Sequence, residues 1–279
     1  MPPKPFIVNG KSPVAILFFF LLIYSLLAMH YSLAQSPTPP SALEKAQNDY
    51  NFQYSKYRDA QEKYITARSS YFLFKTATAK NDAFVATKNH LDQVVKLYVT
   101  FGYLTREYIN SFNWGNFNDQ KIKSISILDN QTATLTSFQQ QIAATITLEQ
   151  LPPIAADLKT YLEGEFASKH NKVLSSLEIG EAESTLDDFN SLAGVLDQVV
   201  VFKLRSGGTK SILANWTSEI KNIRVNTQKA ITEAKNLNSQ TRQDQAKEGE
   251  LDAIIRTTEK AKSELKRSKP LFEEVIRII

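Results

Sequence analysis

The sequence predicts an all-α protein, an elongated antiparallel helical bundle with coiled-coil character behind an N-terminal signal or anchor segment. Three observations predict it. Apolar residues recur at three- and four-residue spacing through most of the chain, which places them on one face of a helix. Past Ser41 the only prolines are Pro152, Pro153 and Pro270, so little interrupts segments rich in Ala, Lys, Gln, Glu and Leu. Finally, Tyr50, Tyr57, Tyr64 and Tyr71 repeat every seven residues, the spacing of a helix-pair seam.

Residues 1–34 read as a signal peptide or membrane anchor. Lys4 and Lys11 precede an apolar run from Val14, and the run closes on Ser32-Leu33-Ala34. Small residues at those two positions suit signal peptidase, with Ala34 and Gln35 flanking the cut. The competing reading is an uncleaved anchor, because the run through Ala34 is as long as a bilayer core requires. Lysines on the N-terminal side leave the bulk of the chain outside in both cases. Residues 35–40 then form a Pro-rich linker, Gln-Ser-Pro-Thr-Pro-Pro, which favours an extended tether.

A helical bundle is expected over 41–237. Ser41 followed by Glu44 is a capping box, so the first helix starts there and carries the tyrosine stripe to about Thr76. Large rings at the tyrosines alternate with Gln53, Ala60, Ala67 and Phe74 three positions on. The stripe reads first as a seam whose hydroxyls sit at the rim of a core, and alternatively as an exposed aromatic contact ladder. A second helical segment spans about 81–110 and ends in the turn-rich Asn113-Trp114-Gly115-Asn116. Asp119 is placed to cap a third helix, which carries Leu128, Leu135 and Ile142 and stops before Pro152-Pro153. A fourth follows to about residue 199, weakened and bent by Gly164, Gly180 and Gly194, with Ser206-Gly207-Gly208 as its stop. A fifth starts near Lys210. Residues 238–279 are expected to form a polar, basic helical arm with an amphipathic C-terminal piece after Pro270, too short to span a membrane.

Composition narrows the chemistry. There is no cysteine, which removes disulfides, thiolate metal sites, cysteine nucleophiles and lipoprotein anchoring. The net charge of +4 is unevenly placed. Residues 41–202 hold 15 Lys/Arg and 19 Asp/Glu, whereas 203–269 hold 15 Lys/Arg and 8 Asp/Glu. A basic arm represented by Lys260, Lys262, Lys266 and Arg267 suits anionic envelope polymers, lipid or the acidic body of a second copy. As a solvated helix face it needs no partner. Nucleic acid is not expected, because glutamates interleave the lysines and clustered aromatics are missing.

No catalytic, cofactor or metal residue is assigned. His90 and His170 lack an i, i+4 ligand partner and read as surface histidines. Glu178, Glu181, Glu183, Asp187 and Asp188 lack a loop of alternating oxygen ligands and read as the wet face of a helix. No phosphate-binding, dinucleotide or nucleophile-elbow motif occurs in the sequence.

Gln47-Asn48-Asp49-Tyr50, Tyr57-Arg58, Tyr64, Tyr71 and Ala86-Thr87-Lys88-Asn89, with Leu177-Glu178-Ile179-Gly180 further on, resemble a group of uncharacterised exported helical, coiled-coil proteins of ultrasmall, reduced-genome bacteria. The likeness spans residues 47–235. It implies an envelope setting and transfers no functional residue. The expected function is therefore a non-catalytic extracytoplasmic envelope or surface protein, secreted or anchored, acting through helix-mediated protein contacts. Its partner would be an envelope protein or a second copy, with membrane contact through the N-terminal segment if uncleaved. No small-molecule substrate is identified. The alternative is an extracytoplasmic sensing or ligand-binding bundle.

Overall fold

The computed structural model describes residues 40–205, 210–241 and 248–278. The signal or anchor segment with Ala34 and Gln35, the linker as far as Pro39 and the Ser206-Gly207-Gly208 stop lie outside the described residues. Every regular element among the described residues is helical. In chain order they are α1 (Ala42–Phe74), α2 (Ala77–Asn110), α3 (Asn118–Ala144), α4 (Leu151–Tyr161), α5 (Ala167–Arg205), α6 (Lys210–Gln240), α7 (Glu248–Lys266) and α8 (Ser268–Ile278). Short 3-10 turns cover Gly115–Phe117 and Leu148–Gln150, and a π turn covers Leu162–Phe166. No helix among the described residues is long and apolar enough to cross a membrane.

Local chemistry sets the boundaries. Ser41 caps α1 by accepting the Glu44 N–H at 3.2 Å, satisfying one of the orphan donors of the first turn. The helix stops at Phe74 because Lys75 turns left-handed, with φ 49°. The Thr76 hydroxyl then accepts the Ala79 N–H at 3.1 Å, so α2 starts at Ala77 and not near residue 81. Asp119 does not cap α3. The helix begins one residue earlier and has no side-chain cap. Pro152 and Pro153 fall in the first turn of α4, where a missing N–H costs no helical bond. Around Gly164 the regular helix gives way to the π turn between α4 and α5, whereas Gly180 and Gly194 lie within an uninterrupted α5.

Contacts between successive helices run in opposite directions. In the α1–α2 hairpin, Tyr50 meets Phe101 while Tyr64 meets His90. Across α2 and α3, Asp92 accepts from Gln139 and Arg106 pairs with Asp129. Across α5 and α6, Lys172 meets Asn238 and Glu183 meets Lys235.

Three apolar cores result. One joins α2, α3 and α4 around Val95, Leu135, Ile142 and Leu158, with Phe166 of the π turn. A middle one gathers Ile109, Trp114, Leu128, Val173 and Leu177. The third joins α5, α6 and α7 around Ile179, Leu186, Ile223, Ile231 and Ile254. The π turn and α5 together reach all three, and α5 is buried almost all round between Lys172 and Glu183.

The basic arm is not a separate part. Ser41–Ile279 group into one unit by their contacts, and α7 completes the third core with Ile254, Ala261 and Leu265. Its apolar stripe is thin in sequence, yet Ile254, Ala261 and Leu265 are buried, with Leu251 and Ile255 half-buried beside them. Asn238, placed in the polar stretch, is also buried. The C-terminal piece α8 docks through Leu271 and Phe272 against the same core.

Candidate functional site

The tyrosine stripe lies along the α1–α2 seam. Tyr50, Tyr57, Tyr64 and Tyr71 are all half-buried. Ring centroids are 6.0 Å apart for Tyr50 and Phe101, 5.6 Å for Tyr57 and His90, and 5.0 Å for Tyr64 and His90. Between them the Gln53 amide donates to Gln93 Oε1 at 2.7 Å. Burial, aided by neighbouring Tyr54, pushes the Tyr50 phenol up to about 12. Burial alone draws His90 below its ordinary value. His90 is thus part of the seam.

A second constellation is internal and charged. Lys262 of α7 reaches between two carboxylates of α5, with Nζ 2.9 Å from Glu178 Oε2 and 2.7 Å from Glu181 Oε2. The Tyr108 hydroxyl of α2 donates to Glu181 Oε1 at 3.2 Å. Lys262 and Glu178 side chains are each only 11% exposed. Burial disfavours the ammonium, but the two glutamates outweigh it and hold Lys262 above the ordinary lysine range. Burial also raises Glu178, against the pull of Lys262. Burial and the Glu181 charge raise Tyr108. The ammonium fills the place between the carboxylates that a metal would need, so the cluster clamps α2, α5 and α7 together. Among the described residues no three acid or histidine side chains converge as metal ligands would.

Two of the basic arm's four residues are therefore engaged. Lys262 is interior, and Arg267 pairs with Glu219 at 3.0 Å and Glu264 at 2.8 Å. Lys260 and Lys266 are exposed. The acidic run of α5 likewise is not a wet face. Glu178 and Glu183 are 8% and 5% exposed, and Glu183 pairs with Lys235 at 2.6 Å. Only Asp187 and Asp188 of that run are exposed. Cations of the C-terminal half meet carboxylates of α5 within the fold, which accounts for part of the charge asymmetry. Lys172 of α5 completes the pattern by donating to the Asn238 and Thr241 carbonyls, at the negative end of α6.

His170 is not a surface residue either. It is 4% exposed, its ring stacked on Phe166 at 5.2 Å and tilted against Phe101 at 4.6 Å. Nδ1 lies 3.2 Å from Gln131 Oε1. Burial lowers its pKa to about 4, so it stays neutral near pH 7. Trp114 is equally interior at 1% exposed. Its indole N–H donates to the Ile109 carbonyl at 2.9 Å, and its ring lies against Gly180 so closely that a Cβ there would come within 2.6 Å.

Sequence reasoning missed the outer side of α1. This helix packs chiefly on α2, and in 33 residues it buries only Ala46, Gln53 and Ala60. Phe52 and Ile65 remain 64% and 55% exposed on its outer surface. They stand off the heptad positions, which is the one sequence signal that could have marked them. Comparison with protein-family models, with curated proteins and with solved structures finds no match for this chain.

Proposed function

We propose that this protein is a non-catalytic envelope or surface protein that works outside the cytoplasm through helix-mediated protein contacts. The α1–α2 hairpin supplies coiled-coil character and the contact surface, and the partner is an envelope protein or a second copy of the chain. One observation carries the reading. A helix of 33 residues with a single buried edge leaves Ile65 in solvent on one flank and Phe52 on the other, and the Ile65 flank is a surface that a second helix would complete. The export segment read from the sequence and the envelope setting implied by the resemblance agree with it. The buried charges favour it too, because Lys262, Glu178 and Glu181 satisfy one another and leave no free acid–base pair at that cluster.

The test is a photo-reactive residue in place of Ile65 in an affinity-tagged full chain, cross-linked in intact cells and resolved by mass spectrometry. The expected result is one discrete adduct, with an envelope protein or with a second copy, that weakens when exposed Arg58, one heptad before position 65 on the same flank, is changed to Glu. Recovery of an uncross-linked monomer from the medium would overturn the reading in favour of a released binding protein.

A further inference from the structure

The two most exposed large apolar side chains among the described residues are Ile146 at 78% and Leu73 at 77%, followed by Phe74 at 67%. They are far apart in sequence but crown the same end of the bundle. The α1–α2 turn at Lys75-Thr76 and the α3–α4 connection come together there. Lys80 Nζ in the first turn of α2 lies 2.6 Å from Glu149 Oε1. Two turns deeper, Lys88 donates to the carbonyls of Ala143 and Thr145, each at 2.8 Å. Phe72, 50% exposed, extends the apolar crown.

The crown has a basic collar. Arg68 at Phe72, Lys75 in the turn and Lys80 stand beside it, against the carboxylates of Asp82 and Glu149. Lys80 is paired with Glu149. Arg68 instead lies over the Phe72 ring, 5.3 Å from its centroid. Neither Arg68 nor Lys75 has a carboxylate partner among the described residues.

We propose that this pole docks end-on into an anionic lipid surface. The charge and the geometry both select lipid. A convex tip of Phe, Leu and Ile on two turns offers no stripe or groove for a partner helix. It can enter the boundary between headgroups and acyl chains, where such side chains settle about 5–10 Å deep. The collar then meets the anionic headgroups, each nearby cation adding to the attraction, while Arg and Lys stems cover the apolar edge. This surface is distinct from the outer side of α1, so the two can be occupied independently.

The chain lacks cysteine, which permits a clean test in the full-length protein. Leu73→Cys carries an environment-sensitive nitrobenzoxadiazole label. Val225→Cys, at a site 58% exposed on α6, carries the same label as the reference position. Each is mixed with vesicles of phosphatidylcholine alone and of phosphatidylcholine with one-third phosphatidylglycerol. The label reports its own surroundings, so insertion of the N-terminal segment does not mimic docking of the pole.

The expected result is a blue shift with at least a doubling of emission at position 73 on anionic vesicles. It should be much weaker on neutral ones, reduced by half-molar salt, and absent at position 225. Phe74→Ser in the position-73 background should weaken vesicle binding about tenfold. Unchanged emission at position 73 would overturn the proposal, as would equal shifts at both positions. A shift that follows protein concentration without vesicles would also overturn it, assigning the pole to a second copy.

Discussion

Replacing Gly180 by alanine sets a methyl group against the Trp114 ring, which also stacks with Phe112 and Phe117. The ring would have to move, and overpacking of this kind costs about 1–3 kcal/mol. Gly194→Ala meets nothing within 4 Å and should instead stabilise by up to about 1 kcal/mol through helix propensity. Chemical denaturation of the two variants checks the opposite signs. His170 adds a pH dependence. Its folded pKa of about 4 lies below the ordinary value of 6.5, so the unfolded chain takes up a proton that the folded chain refuses. Stability is full above pH 6.5 and is lost as pH falls from there toward 4, by on the order of 3 kcal/mol. A His170→Gln variant should lose that slope. Comparison with the parent cancels Glu178, whose raised pKa acts in the opposite sense. His170 could not be recognised as interior from sequence. Phe101, Gln131 and Phe166 come to it from three other elements, and a lone histidine carries no periodic signal of its own.

Among elements, the α1–α2 hairpin was the most legible. Heptad tyrosines, Ser41 and Glu44 together specify where α1 starts and which side it turns inward. Changing Tyr57 and Tyr64 to Ala removes both rings from His90 and should lower stability by about 1–3 kcal/mol, read as a drop in melting temperature. An unchanged melt would mean that the rings add nothing to the seam. The least legible element was α7. Its polar surroundings and few apolar residues resemble a solvated arm, and the deciding contact, Lys262 with Glu178 and Glu181, joins residues more than eighty positions apart. Lys262→Met leaves two carboxylates facing each other in a buried place and should cost about 3–5 kcal/mol. Reversing the charge of Lys260 and Lys266 should leave the fold intact. Together these two variants separate the structural from the solvated part of the same helix, by thermal melting in each case.

At the scale of the molecule, fold class follows from composition and period, because both are sums over many residues. Where the cores divide does not, since it depends on which helix α5 meets at each level. Ending the chain at Gln240 removes α7 and α8, uncovers Ile179, Ile223 and Ile231, and strands Glu178 and Glu181. The truncated protein should lose its cooperative thermal transition. The exposed pole and the outer side of α1 were likewise hidden in the sequence. An apolar residue is read as core until a neighbour is shown to be missing.

The continuity of α5 has a kinetic consequence. A protein with three separate cores would ordinarily open piece by piece, each piece releasing its backbone amides at its own rate. Here the same helix forms a wall of the middle and third cores, and through the π turn it is joined to the first. Neither half can let go of it alone. Deuterium should therefore enter the amides between Val173 and Ala182 last, and at the rate of global unfolding. The hairpin end of α1 should label orders of magnitude sooner.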